Sequence, residues 1–497
     1  MSRSTQQPTK NHTASGTRPP RHHGWILGTV GLAQLMVVLD ATIVNIALPS
    51  AQQDLGFSDS DRQWIVTAYA LAFGSLLLLG GRVADLLGRR RTFAIGMAGF
   101  AATSALGGAA GTLGLLIAAR AGQGAFAALL APAALSLLST TFTQPKERAT
   151  AFTVYGAIAG AGGAVGLLLG GLLTEHFSWR WTLYVNIAFA AVTLAAAPAV
   201  LPRDRRDTRP RLDIPGTLLV STALFGLVYG CANAESHGWS AAITYGPLAA
   251  GILLLAAFAF WQTRTDHPLL PLRILADRNR LASLLALAVV GAGMFGVFLF
   301  LTFYMQQSLH YTPISTGMAF LPMIAALGLA STLASKVVIP RTGPGAVVPL
   351  GLLLAGAGLA WMTTLDLTSS YPTQLLPQLL ITGAGMGLTI APAMETATHG
   401  VRPSDAGAAS ATVNTVQQVG GSLGTALLTT FSTQAAADYL TGKNATAPDA
   451  AAQAALHSYA AAFWWSAGFF AAGAAATLVL YRRDTPARQD GSAPLHM

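Results

Sequence analysis

Fourteen membrane-spanning helices arranged as six, two and six are what this sequence predicts, that is, an all-α polytopic membrane protein. Three observations predict it: 53% of the 497 residues are hydrophobic while only 10% are charged, apolar stretches of membrane length recur throughout, and the second half echoes the first. Soluble domains carry about a quarter charged residues, so the composition already points to lipid. The 52 glycines, scattered through apolar runs, suit helices that approach one another closely in a bilayer.

A span needs ~20 mostly apolar residues. Such stretches fall at about 25–48, 63–81, 92–110, 113–138, 150–173, 181–201, 214–234, 243–261, 281–303, 317–338, 346–364, 374–397, 406–431 and 459–480. Residues 1–23 are polar and end on Arg21-His22-His23, which reads as a disordered tail; 482–497 form a second tail. The first apolar stretch lacks a small-residue cleavage site and is read as a retained helix.

Arginine and lysine set the orientation. With the N-terminus inside, the inner segments hold Arg82, Arg89–Arg91, Lys146, Arg148, Arg203–Arg211, Arg264–Arg280, Arg341, Arg402, Arg482 and Arg483, and the outer loops only Arg62, Arg180 and Lys443. An even number of spans brings the C-terminus back to the cytoplasm. The net charge of +9 is then a topology signal and not a nucleic-acid footprint. The single cysteine, Cys231, sits in an apolar run and reads as packing.

The repeat divides the chain. Gln52-Gln53-Asp54-Leu55-Gly56-Phe57 after span 1 is echoed by Gln306-Gln307-Ser308-Leu309-His310-Tyr311 after span 9, 254 residues on. Gly162-Gly163-Ala164-Val165-Gly166 returns as Gly420-Gly421-Ser422-Leu423-Gly424. These echoes divide the chain into six-helix bundles at 24–202 and 281–481, joined by a segment, 203–280, that carries an inserted hairpin of two spans. Parallel repeats of this kind place a substrate site near the midplane between halves, with rocking of one half against the other giving alternating access.

Four motifs carry a family resemblance. Gly81-Arg82-Val83-Ala84-Asp85-Leu86-Leu87-Gly88-Arg89-Arg90-Arg91 resembles the signature loop of the major facilitator superfamily between helices 2 and 3. Leu39-Asp40-Ala41-Thr42-Ile43-Val44-Asn45 through Pro49 is similar to the first-helix motif of its fourteen-helix drug:proton antiporters. Arg120-Ala121-Gly122-Gln123-Gly124 resembles the fourth-helix motif, and Trp179-Arg180-Trp181 through Asn186 the entry to helix 6. The resemblance implies a monomeric multidrug or antibiotic exporter of the bacterial plasma membrane, driven by the proton gradient with no cofactor. Its partners would be protons, lipid and a small amphipathic organic compound. One departure stands out: antiporters of the family usually have proline after the glycine-rich motif of helix 5, and Gly166 is followed by Leu167. The remaining glycines of that motif, Gly162, Gly166 and Gly170, are expected to act in conformational change.

Gly81 and Gly88 permit a tight turn and close helix approach. Asp85, with Arg89 and Arg90, either latches one access state or simply anchors the loop at the headgroups. Ionisable groups inside a membrane are costly and mark function. Here they are Asp40, Arg120 and Glu395. All ten histidines lie in tails, loops or span ends, so any buried proton carrier is a carboxylate. Asp40 and Arg120 have similar depths on spans 1 and 4 and form either a protonation switch or a static tie. Glu395 lies close enough to a span end to be interfacial instead. Tyr69, Gln123, Phe298, Tyr304, Asn414 and Gln417 are candidates for lining the cavity, with helix packing the competing role of each. No nucleotide-binding Gly-Lys-Ser/Thr loop, His-Glu-x-x-His or cysteine cluster is present, so ATP hydrolysis and metal catalysis lack support. The competing functions are proton symport for uptake, export of one self-made metabolite, and a transporter-shaped sensor.

Overall fold

In a computed structural model of the chain, the described residues are 23–58, 61–142, 144–202, 213–266, 268–401, 406–442 and 450–482. Among them every regular element is helical. The expected tails lie outside the described residues except for His23, which opens the first helix, and Arg482. The helices are α1 His23–Leu55, α2 Arg62–Leu87, α3 Arg89–Gly108, α4 Leu113–Thr141, α5 Pro145–His176 and α6 Trp181–Val200, then α7 Ile214–His237 and α8 Ala242–Gln262. After a short α9, Arg273–Ala276, follow α10 Arg278–Phe303, α11 Pro313–Leu333, short α12 Ile339–Thr342, α13 Pro344–Met362, α14 Leu376–Thr398, α15 Ala406–Gly442 and α16 Ala450–Leu480. Three π-helical turns, Tyr304–Ser308, Ala334–Val338 and Tyr371–Leu375, extend α10 and α11 and open α14.

Eleven of these helical segments are long and apolar enough to cross a membrane. The remaining long helices, α2, α3 and α15, have 26, 20 and 37 residues and pack among spanning neighbours: α2 and α3 on α4, α15 on α10 and α16. Several helices overrun the apolar stretches that foretold them. α1 continues to Leu55 and α15 to Gly442, because a helix that projects past the hydrocarbon keeps its backbone hydrogen bonds whatever the polarity of its side chains.

Helix ends gather on two faces. On one, Arg90 donates to the carbonyls of Pro198 and Leu201, Arg82 to Pro268, Arg278 to Val479 and Arg280 to His399. These bonds tie the starts of α3 and α10 to the ends of α6, α16 and α14. Those from Arg90, Arg278 and Arg280 satisfy carbonyls at helix ends with cations, the favourable sign at a helix C-terminus. On the opposite face Asp54, near the end of α1, accepts from Trp179 Nε1 at 2.9 Å and Arg180 Nη2 at 3.0 Å. Arg180 also donates to the carbonyls of Gly108 and Ala110 at the end of α3. We call the first the basic face, since Arg82, Arg89–Arg91, Arg264, Arg273, Arg278, Arg280, Lys336, Arg341 and Arg482 lie along it.

The sequence repeat is a packing repeat. α5 seats on α1 through Gly162, Gly166 and Gly170, where an added Cβ would strike Val38, Thr42 and Ile43. α15 seats on α10 in the same way, through Gly420 and Gly424 against Ala288 and Ala292. Likewise α4 crosses α2 with Gly124 on the Tyr69 carbonyl, and α14 crosses α11 with Gly383 on that of Met323. Even the turns correspond: Gly56 (φ 67°) after α1 has His310 (φ 55°) as its counterpart. The hairpin α7–α8 lies outside both groups, with α7 packed on α2 and α15 at once.

Candidate functional site

Asp40 sits in mid-α1 with none of its surface exposed. Arg120 and Gln123, three residues apart in α4, lie on one helix face and both reach it. Arg120 Nη1 donates to Asp40 Oδ2 at 2.6 Å and to Gln123 Oε1 at 2.8 Å. Gln123 Nε2 donates to Asp40 Oδ1 at 2.9 Å and to Ser104 Oγ of α3 at 2.7 Å. From α6, Asn186 Nδ2 donates to Asp40 Oδ1 at 2.7 Å. Arg120 Nε reaches the Ile65 carbonyl of α2 at 3.2 Å, and its guanidinium lies 4.5 Å over the Tyr69 ring. Five helices thus converge on one carboxylate.

Burying two charges costs several kcal/mol apiece unless pairing and hydrogen bonds compensate. Here the ionised carboxylate accepts three donors and faces a cation, so the cluster is neutral as drawn. A proton added to Asp40 would leave Arg120 as an uncompensated buried cation. Two buried atoms of the cluster, Asn186 Oδ1 and the Tyr69 hydroxyl, have no hydrogen-bond partner. Toward the opposite face the cluster abuts a small cavity lined by Val44, Ala47, Ile65, Leu116, Arg120 and Trp179.

A seam runs between α1–α6 and α10–α16, and it is bridged near the opposite face. Gln306 Nε2 donates to the Ile46 carbonyl at 3.1 Å, and Ile314 N–H to Glu175 Oε2 at 3.1 Å. The Arg62 guanidinium lies 4.1 Å over the Phe303 ring. Gly317 of α11 meets the Leu167 carbonyl of α5, and Gly171 meets Pro313 and Ile314. Leu167, where the family usually has proline, is therefore fully buried at this crossing.

The other anticipated residues divide as follows. Glu395 is exposed near the basic-face end of α14, away from the buried cluster. Gly88 joins α2 to α3 at φ 94°, a conformation that favours glycine, and Gly343 repeats it before α13 at φ 74°. Close helix approach falls on Gly80, against the Ala128 carbonyl, whereas Gly81 makes only ordinary contact with Pro132, because its Cα faces a side chain rather than backbone. The Asp85 side chain lies outside the described residues; Arg89 and Arg90 open α3 on the basic face. Tyr69 and Gln123 belong to the charge cluster. Phe298 and Tyr304 are packed into the core instead of facing open space: Phe298 against Phe320 at 5.0 Å, Tyr304 against Tyr459 with its hydroxyl on the Asp366 carbonyl. Their rings carry large apolar area that the α10 interface buries. Asn414 and Gln417 are half-buried on α15. Ser104 and the Ile65 carbonyl carried no sequence signal, since one serine or one backbone carbonyl on an apolar helix looks like any other.

A bundle of membrane-length helices whose packing repeats about a seam, with a buried ion pair inside the first group of helices, defines a polytopic membrane carrier. The sequence model of the Major Facilitator Superfamily matches residues 30–425, and the chain belongs to that superfamily. It is a transporter and not an enzyme. It is 50% identical to the puromycin resistance protein pur8 of Streptomyces alboniger over 490 residues, covering 98% of this chain and 96% of that one. It is 40% identical to the cephamycin export protein CmcT of Amycolatopsis lactamdurans, over 80% of this chain and 82% of that one. With the tetracenomycin C resistance and export protein of Streptomyces glaucescens it shares 36%, over 80% and 74%. Among solved structures, a POT family peptide transporter in an auto-inhibited form matches with a TM-score of 0.67 at 16% identity, over 94% of this chain and 99% of that one. A bacterial homologue of the lysosomal transporter Spinster matches with a TM-score of 0.65, over 93% and 97%, also at 16% identity. At that identity the structures speak for the fold alone.

Proposed function

We propose that this chain exports amphipathic organic compounds of the antibiotic type in exchange for protons. On this reading fourteen spans form two six-helix halves, 24–202 and 281–481, with the hairpin inserted in 203–280. The basic face and both termini lie in the cytoplasm, as the positive-inside rule requires. The protein works as a monomer without a cofactor, and rocking about the seam exposes its centre to each side in turn. The relatives that bear antibiotic resistance or export in their names support the direction and the substrate class, and make puromycin the first compound to test. Contacts bridging the seam near the opposite face describe a state closed on the outside.

The observation that carries the coupling is the placement of Asp40. Of the described acidic side chains only Asp40 and Asp213 are buried. Asp213 has a structural task, since it caps α7 at Gly216 N–H and holds Trp261 and Gln262 at the base of the hairpin. Asp40 has no helix end to cap and faces Arg120 inside the bundle. A carboxylate there trades its proton according to water access and the position of the arginine.

Everted vesicles test the reading. When puromycin is added to energised vesicles holding the protein, antiport predicts that protons leave the lumen as the compound enters. Protons and compound moving in the same direction would mean symport, and no flux of either would mean a sensor or scaffold.

A further inference from the structure

Around the ionised Asp40 every donor is in place, yet a protonated Asp40 would need the opposite: an acceptor for its O–H. An ionised carboxylate only accepts, whereas a carboxylic acid also donates. Two amide oxygens belong to the groups that touch it. Gln123 Oε1 is occupied by Arg120 Nη1 at 2.8 Å. Asn186 Oδ1 is fully buried and has no partner, while Nδ2 of the same amide donates to Asp40 Oδ1 at 2.7 Å. The amide that already touches Asp40 therefore carries an acceptor that nothing else uses.

We infer that Asn186 is a two-way amide that positions the Asp40 proton: Nδ2 donates to the carboxylate, and after a half-turn of the amide Oδ1 accepts the O–H of the acid. This rests on the reading of Asp40 as proton carrier. The proton comes from solvent, forms the O–H bond on Asp40 Oδ1 and returns to solvent when that bond breaks; nothing else is made or broken. Rotation about the terminal torsion of asparagine joins two wells of similar shape, so the amide turns in the space it already fills. The charged or titratable groups facing Asp40 are Arg120 from α4 and the Tyr69 phenol from α2. α3 and α6 bring only neutral Ser104 and Asn186 to the cluster. α5 from Ala157 to Thr174, α10 after Arg280, and α11 carry no ionisable side chain. Asn186 is a positioning residue here, and its two bonding states also give each protonation state of Asp40 a satisfied partner. A fixed donor would favour the ionised form alone.

The test is pH-difference infrared spectroscopy on the full-length protein in proteoliposomes. It is run on wild type with ordinary and with side-chain 15N-labelled asparagine, on Asp40→Asn and on Asn186→Leu. The expected wild-type spectrum shows one carboxylic acid C=O band growing as pH falls. In step with it an amide band changes and moves on 15N labelling; both are lost in Asp40→Asn. In Asn186→Leu the amide change disappears and the acid band shifts upward, as expected for an acid whose O–H has lost its acceptor. A wild-type Asp40 acid band with no accompanying amide change overturns the inference and leaves proton carriage by Asp40 standing. No Asp40 acid band at any pH overturns both. The wild-type spectra decide between these outcomes even where Asn186→Leu fails to fold.

Discussion

At the scale of single residues, the sequence makes Asp40 and Arg120 conspicuous because charges inside a membrane are few and costly. It also places them at similar depth, and the structure brings them to 2.6 Å. What sequence could not supply is the rest of the cluster. Gln123 and Asn186 look like ordinary helix-packing polar residues until five helices converge on one carboxylate, and Ser104 gives no sign at all. The same convergence predicts what its variants cost. Arg120→Ala leaves Asp40 buried without its cation, so it should destabilise by about 3–5 kcal/mol, the usual cost of breaking a buried pair. Asp40→Asn strands the buried Arg120 cation in the same way and should cost a similar amount. Thermal unfolding midpoints of the purified variants check this; either variant as stable as wild type would show that the pair is not a packed, desolvated unit. Asp40→Glu keeps a titratable carboxyl one methylene further out. It should retain part of the transport with a displaced pH optimum, read from rate against pH in vesicles.

At the scale of elements, periodicity and glycine spacing were informative because helix crossings in lipid depend on small residues. Gly162, Gly166 and Gly170 do form the α1–α5 seam, and Gly383, Gly385 and Gly387 pack α14 on its neighbours. The lengths of α1 and α15 were not legible, since apolarity ends where the hydrocarbon ends and the helix does not. Gly124 and Gly383 hold matching places in the two groups, each against a backbone carbonyl. Gly124→Ala and Gly383→Ala should therefore each cost about 1–3 kcal/mol by overpacking. Gly328→Ala, with nothing within 4 Å, should be neutral or slightly stabilising. Equal unfolding midpoints for all three variants would contradict the crossing geometry.

At the scale of the whole molecule, the internal repeat was legible because two groups that pack alike must keep like turns and like crossings. The seam contacts stayed hidden, since nothing in sequence pairs Gln306 with Ile46 or Arg62 with Phe303. They predict that joining Glu175→Cys to Ile314→Cys with a short thiol crosslinker, in a Cys231→Ala background, stops export. Asn414→Cys should stay reachable by thiol reagents from the basic face. Export that continues after complete crosslinking would show that the seam need not open on that side. The central claim is that the proton is carried by Asp40. Its most direct test is ΔpH-driven puromycin flux in proteoliposomes with Asp40→Asn, with puromycin binding measured on the same preparation. The account predicts that binding persists in part while uphill movement ceases. Uphill export by Asp40→Asn at the wild-type proton stoichiometry would contradict it and move the search to Glu395.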